Sequence, residues 1–178
     1  MKKAIFLDKD GTLIPDIPYN VDPARVRLLP GVADTLRRLG EAGYILIVVS
    51  NQSGIARGLF TEDELQAAFD HLSALLARED VKIEAIYWCP HHPAHGGPCD
   101  CRKPAPGLLN RAIGELQIDP AQSWIVGDTL DDVEAGARAG CRTILVGGGG
   151  EEERGAGNER EPHFTVRTFS DVYGVVTG

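Results

Sequence analysis

The 178-residue chain has no long apolar run and no surplus of basic charge. Its basic start, Met1-Lys2-Lys3, is followed by only a short apolar stretch before Asp8, which fits neither a secretory signal nor a membrane span of about 20 apolar residues. A cytoplasmic location is the expectation. Lys and Arg number 18 against 26 Asp and Glu, a formal net charge of −8, whereas nucleic acids and anionic membranes are held by clustered cations. Neither partner is expected, and any phosphate chemistry must rest on a few placed cations. No internal repeat is present, and no extra apolar stripe stands out, so a monomer is expected. With 43% of its residues hydrophobic, the chain has apolar material for one sizeable core, and its length suits a single domain over 1–178.

What the chain does contain is an alternation of strand-like and helix-like segments. Residues 3–7 form a short apolar run, 31–42 carry Val32, Leu36 and Leu39 at helical spacing, and 44–49 are a continuous β-branched run of the kind a doubly covered parallel strand shows. Thr61 and Glu64 have the spacing of a capping box and open a helix to about Arg78, with Leu65, Phe69, Leu72 and Leu76 on one face. Strand over 83–88, helix over 106–116, strand over 124–126, helix over 131–139 and strand over 143–146 complete the series. This order predicts an α/β fold, a Rossmann-like parallel sheet with helices on both faces.

Ligands of such sheets bind outside the carboxyl ends of the strands. The residues there are Asp8-Lys9-Asp10, then Ser50-Asn51-Gln52-Ser53, then Gly127-Asp128. Each group alone has a plain structural explanation, because Asp and Asn favour strand ends and turns. Acidic, hydroxyl and amide groups together on one rim argue for a site. A close pair of carboxylates shares either a proton or a cation. Mg²⁺ takes oxygen ligands and keeps several waters, so Asp8 and Asp128 with water and a substrate phosphate make a coherent set. One carboxylate could then attack phosphorus while its neighbour serves as acid and base.

Asp8-Lys9-Asp10-Gly11-Thr12, Ser50, Lys103 and Gly127-Asp128-Thr129-Leu130-Asp131-Asp132, in this order, resemble the four motifs of the haloacid dehalogenase (HAD) superfamily. The resemblance implies Mg²⁺-dependent phosphate transfer on a HAD-like fold. Asp8 then corresponds to the nucleophile and Asp10 to the general acid/base, with its main-chain carbonyl also on the metal. Ser50 and Lys103 would hold the transferring phosphoryl group, Asp128 would complete the Mg²⁺ site, and Asp132 fits the second acidic position of the last motif. Connections after the first two strands are short, so no large cap domain is expected.

A second cluster lies in CPHHPAHGGPCDCRKP, residues 89–104. Cys89, His91, Cys99 and Cys101 are the ligand set of a closed tetrahedral Zn²⁺ site. The spacing is unlike a zinc finger, and reduced thiols are expected in a chain without a secretory signal. His92 and His95 rank behind His91 as ligands, and Cys141 reads as a small core residue. A Zn²⁺ with four protein ligands has no open position, so its expected role is to clamp the 89–101 loop and place Arg102 and Lys103 beside the rim.

The phrases NQSGIARG, CPHHP and CDCRKP narrow the resemblance to the heptose bisphosphate 7-phosphatases of ADP/GDP-heptose and lipopolysaccharide-core synthesis. They imply a small sugar-phosphate substrate that loses its C7 phosphate. The same resemblance makes Asp16, Tyr19, Ser50, Asn51, Gln52 and Ser53 substrate contacts, with Lys103 on the transferring phosphoryl group and Arg102 on the distal phosphate. Arg57 is either a further contact or an exposed loop residue. The histidinol-phosphate phosphatases carry a similar zinc loop and stay open as an alternative; the absence of a fused dehydratase domain favours heptose. An idle zinc-stabilised sugar-phosphate-binding module also stays open. The Gly-rich acidic stretch 147–161 reads as a flexible solvated loop, and 163–176 as a returning strand and helix.

Overall fold

The computed structural model describes residues 1–147 and 158–178. Most of the 147–161 stretch therefore lies outside the described residues. Among the described residues, six parallel strands form one sheet: β1 (Lys3–Leu7), β2 (Tyr44–Asn51), β3 (Ile83–Cys89), β4 (Trp124–Gly127), β5 (Arg142–Val146) and β6 (Phe164–Val166). The helices are α1 (Val32–Glu41), α2 (Glu62–Ala77), α3 (Gly107–Leu116), α4 (Leu130–Arg138) and α5 (Val172–Thr177).

The central strands read as unbroken apolar runs because both their faces are covered. Successive side chains point to opposite faces of a strand. Ile5, Leu7, Leu46, Val48 and Val126 accordingly pack on one side with Leu36 and Leu39 of α1, Leu65, Phe69 and Leu72 of α2, and Val172 of α5. Ala4, Phe6, Ile47, Val49 and Ile125 pack on the other with Leu108, Leu109 and Ala112 of α3 and Ala135 of α4. Fully burying one such Leu or Phe stabilises the fold by about 1.5–3 kcal/mol.

Strand order is β3-β2-β1-β4-β5-β6. The chain runs outward from β1 to β3 and then returns across β1 to lay down β4, so the order reverses between β1 and β4. In open α/β sheets the crevice outside the strand ends at such a reversal is where ligands bind. Asp8 leaves β1 on one side of that crevice, and Asp128 leaves β4 on the other.

Capping boxes fix the starts of α2 and α4. At α2 the Glu64 N–H donates to Thr61 Oγ1 at 3.2 Å, and the Thr61 N–H donates to Glu64 Oε2 at 2.8 Å. At α4 the Asp132 N–H donates to Thr129 Oγ1 at 3.4 Å and the Thr129 N–H to Asp132 Oδ2 at 3.2 Å. The second box makes α4 begin at Leu130, one residue before the sequence-based start. Pro106 is the N-cap of α3, so that helix begins at Gly107. The returning strand and helix expected near the C-terminus are β6 and α5. His163 ties β6 to β5: the Thr143 N–H donates to His163 Nδ1 at 3.2 Å, and the His163 N–H donates to Thr143 Oγ1 at 3.0 Å.

Candidate active site

Lys103 organises the rim. Its side chain is 2% exposed, and its ammonium donates to Asp8 Oδ1 at 2.6 Å, Asp132 Oδ1 at 2.6 Å and the Val49 carbonyl at 2.9 Å. Burial alone would pull a lysine's pKa down. The carboxylates of Asp132 and Asp8 outweigh burial here, so the pKa is raised and the group stays a cation. Burial pushes the Asp8 carboxyl well above the usual carboxylate range; Lys103 opposes the shift and Asp132 and Asp128 add to it. Asp128 is raised by burial and then by Asp132, with the Thr12 hydroxyl, which donates to Asp128 Oδ1 at 3.1 Å, opposing. Like charges thus crowd a desolvated rim with one ammonium to offset them, an electrostatic setting that a divalent cation would relieve.

Donor chemistry fits a hard cation. Oxygens of Asp8, Asp128 and Asp132 lie within 4.8 Å of one another. Both Asp132 oxygens are already engaged, Oδ1 by Lys103 and Oδ2 by the Thr129 N–H and hydroxyl. Asp8 and Asp128 are left to offer oxygens, as Mg²⁺ requires. Gly11 permits this closeness: its φ is +85°, and a Cβ there would strike the Asp128 carboxylate.

Asp10 sits apart from that cluster. Its carboxylate is held on Oδ1 by Lys9 Nζ at 3.1 Å and on Oδ2 by Gln52 Nε2 at 3.0 Å. Gln52 Nε2 also donates to Ser50 Oγ at 2.8 Å, and both side chains are buried. The two aspartates of the first motif therefore do not share one cation through their side chains. Asp8 follows directly on β1, whereas Asp10 belongs to the turn in which the Lys9 carbonyl accepts from the Thr12, Leu13 and Ile14 N–H groups.

Asn51 faces Lys103: the Lys103 N–H donates to Asn51 Oδ1 at 3.0 Å, and Asn51 Nδ2 donates to the Lys103 carbonyl at 3.1 Å. Ser53 is half-buried in the turn after β2, and its carbonyl accepts the Arg57 N–H at 3.2 Å. Asp16 and Tyr19 lie exposed on the loop after β1. The Arg57 guanidinium stands 5.6 Å from the Tyr19 ring and donates to His92 Nε2 at 2.8 Å. Arg102 is half-buried, with Nη1 3.5 Å from the His91 carbonyl.

Beyond the end of β3, the Sγ atoms of Cys89, Cys99 and Cys101 and Nδ1 of His91 all lie within 4.8 Å of one another. Cys89–Cys99 and Cys99–Cys101 sulfur separations are 3.6 and 3.5 Å, near the roughly 3.7 Å edge of a tetrahedron with metal–sulfur bonds of about 2.3 Å, and Cys89–Cys101 is shorter at 2.9 Å. No disulfide joins them. Burial pushes the Cys89 and Cys101 thiols up, whereas at Cys99 burial is outweighed by the Arg102 N–H and the neighbouring thiols, bringing it down to about 7. Three sulfurs and one imidazole are a Zn²⁺ donor set. The structure brings His91 to the sulfurs, while His92 turns to Arg57 and the buried Cys141 lies in the second apolar layer.

The bonds of Asp132 to Lys103 and Thr12 to Asp128 were not foreseen from the sequence. Thr129 and Asp132 carry the same three-residue capping signature as Thr61 and Glu64, which would have placed Asp132 at the helix start. Thr12 gave no such signal, because its partner depends on β4 lying beside β1.

A parallel sheet with an aspartate cluster and a buried lysine at its carboxyl rim defines a HAD-like hydrolase, and the family model described as HAD-hydrolase-like matches residues 100–172. The D-glycero-beta-D-manno-heptose-1,7-bisphosphate 7-phosphatase of Haemophilus influenzae is 47% identical over 151 residues, covering 82% of each chain. The Pasteurella multocida enzyme of that name is 39% identical over 183 residues, covering 100% of this chain and 98% of its own. A crystal structure of D,D-heptose 1,7-bisphosphate phosphatase from B. bronchiseptica, complexed with magnesium and phosphate, superposes with a TM-score of 0.85 at 34% identity, over 98% of this chain and 97% of that one. The chain belongs to the D-glycero-beta-D-manno-heptose-1,7-bisphosphate 7-phosphatase family.

Proposed function

We propose that this protein hydrolyses the C7 phosphate of D-glycero-β-D-manno-heptose 1,7-bisphosphate, leaving the 1-phosphate. The observation that carries the reading is the 47% identity, over 82% of both chains, to an enzyme of that name. An idle binding module would have no need of Asp8, Asp10, Lys103 and Asp128 together on one rim.

Asp8 is the nucleophile. Lys103 holds its Oδ1, and an Asp8 oxygen attacks the C7 phosphorus. The bond from phosphorus to the sugar O7 breaks, and Asp10 gives its proton to O7 as the sugar leaves. Asp10, now a carboxylate, takes a proton from water, which attacks the aspartyl-phosphate. The bond from phosphorus to the Asp8 oxygen breaks, releasing inorganic phosphate and restoring both aspartates. Splitting one displacement into two makes each easier. Lys103 and the Ser50 hydroxyl hold the phosphoryl oxygens where charge develops, a large catalytic contribution in a desolvated site. Asp8, Asp128 and the Asp10 main-chain carbonyl would hold Mg²⁺, which would neutralise phosphate oxygens and align the phosphoryl group.

Asp16, Tyr19 and Ser53 line the sugar side, and Arg102 grips the distal phosphate, which a planar guanidinium can do with two N–H groups. Cys89, His91, Cys99 and Cys101 bind Zn²⁺, whose four protein ligands leave no position for substrate. Its part is to brace the loop that delivers Arg102 and Lys103. One domain over 1–178 carries all of this.

The test is phosphate release with Mg²⁺, comparing kcat/KM for the β and α anomers of the bisphosphate with that for histidinol phosphate. The expected result is preference for the β anomer. A preference for histidinol phosphate would contradict the substrate assignment and leave the chemistry standing.

A further inference from the structure

We propose that Asn51 is a positioning residue for Lys103 and not a contact of the sugar. The inference rests on the reading of Lys103 as the cation that holds the transferring phosphoryl group. Asn51 ends β2 and is half-buried. Its side-chain amide makes a two-point contact with one residue, accepting the Lys103 N–H at 3.0 Å and donating to the Lys103 carbonyl at 3.1 Å. Among the described residues these are the only hydrogen bonds of the Lys103 main chain.

That main chain needs an anchor. Lys103 is 2% exposed and belongs to no helix or strand. It leaves the 89–101 loop two residues after Cys101, so no ladder of hydrogen bonds fixes its place. Buried main-chain N–H and C=O groups are almost always paired, and here both partners come from one side chain.

The end of β2 also receives the far end of the lysine, because the Val49 carbonyl accepts from Nζ at 2.9 Å. One strand therefore holds Lys103 at both ends, by the Asn51 amide at the main chain and the Val49 carbonyl at the ammonium. Asp8 and Asp132 accept the other two N–H bonds of Nζ, and a phosphoryl oxygen carried on Asp8 would take over the bond that Asp8 Oδ1 accepts. Because β2 pairs with β1 along the whole of β1, this arrangement sets Lys103 in register with Asp8. Gln52, the next residue, acts likewise on Asp10 and Ser50.

The experiment compares Asn51→Ala with the wild type on two substrates: the heptose bisphosphate, and p-nitrophenyl phosphate, which shares only the transferring phosphoryl group. Misplacing a reacting group by about 1 Å can cost about 100-fold in rate. A positioning residue predicts a loss of about 10- to 100-fold in kcat/KM, by the same factor on both substrates. The same substitution in a Lys103→Ala background should add less than about 2-fold, because Asn51 acts through the lysine and effects within one unit are non-additive. A loss confined to the bisphosphate would overturn the proposal in favour of a sugar contact, and so would a factor that multiplies in full in the Lys103→Ala background. Asn51→Asp keeps the acceptor for the Lys103 N–H and loses the donor, so it supports the same comparisons should the alanine variant fold poorly; zinc content and melting temperature are measured on every variant. Failure of the phosphatase reading itself would show separately, as absence of turnover by the wild type.

Discussion

Removing Asp132 tests whether the ammonium at the rim is held by a buried charge pair. Lys103 Nζ has carboxylate oxygens of Asp8 and Asp132 at 2.6 Å each, and the Lys103 and Asp132 side chains are 2% and 3% exposed. Breaking a buried pair by deleting one partner costs about 3–5 kcal/mol. Asp8 remains beside Lys103 in Asp132→Ala, which places the loss near the lower end. The substitution also removes the bonds that Asp132 Oδ2 accepts from the Thr129 N–H and hydroxyl, worth about 1 kcal/mol together, while the Thr129 hydroxyl keeps its bond to the main-chain N–H of residue 132, so the whole loss is about 4 kcal/mol. For a chain of this size each kcal/mol moves the melting temperature by about 2–4 °C, giving a fall of roughly 8–16 °C. Relief of repulsion among Asp8, Asp128 and Asp132 works in the opposite direction, which gives the variant its discriminating power. The assay is thermal unfolding by circular dichroism, with Glu64→Ala as a reference that loses only the corresponding half of the capping box of α2. A fall no larger than that of Glu64→Ala, or a rise, would refute the argument that the Lys103–Asp132 attraction dominates the rim.

Gly11→Ala should cut kcat/KM at least 10-fold and raise the Mg²⁺ concentration needed for half-maximal rate, since its Cβ meets the Asp128 carboxylate and its φ of +85° strains any L residue; a Mg²⁺ titration of the rate checks it. Stripping Zn²⁺ with a chelator should release one equivalent of metal, lower the melting temperature and reduce turnover, because Lys103 follows Cys101 by two residues; full activity after complete removal would contradict the bracing role.

Much of the fold was legible because its central strands are covered on both faces. Tyr44–Val49 could not be mistaken for a half-exposed strand, and Thr61 with Glu64 marked the start of α2 to the residue. Element ends were less legible where a cap decided them. Thr129 and Asp132 drew α4 back to Leu130, and the 83–88 strand runs on to Cys89, where its sulfur joins the metal-binding cluster. The rim residues were also legible, since a parallel sheet gathers on one edge the residues at the carboxyl ends of its strands. The partners of those residues were not. Whether Asp10 turns to Asp8 or to Gln52 depends on the direction the chain takes after β1, which hydrophobic periodicity does not encode. Asn51 and Gln52 look alike in sequence, yet one faces Lys103, 52 positions away, and the other Asp10, 42 positions away. The approach of Gly11 to Asp128 exists only because the chain returns from β3 to lay β4 against β1.

The most direct test of the account is to trap the covalent step. The wild type is mixed with heptose bisphosphate carrying ³²P at C7, quenched in acid within one turnover and digested. The account predicts label on the peptide containing Asp8, and none when Asp8→Asn is treated the same way. Phosphate release by the wild type without label ever appearing on Asp8, or label on another residue, would contradict it.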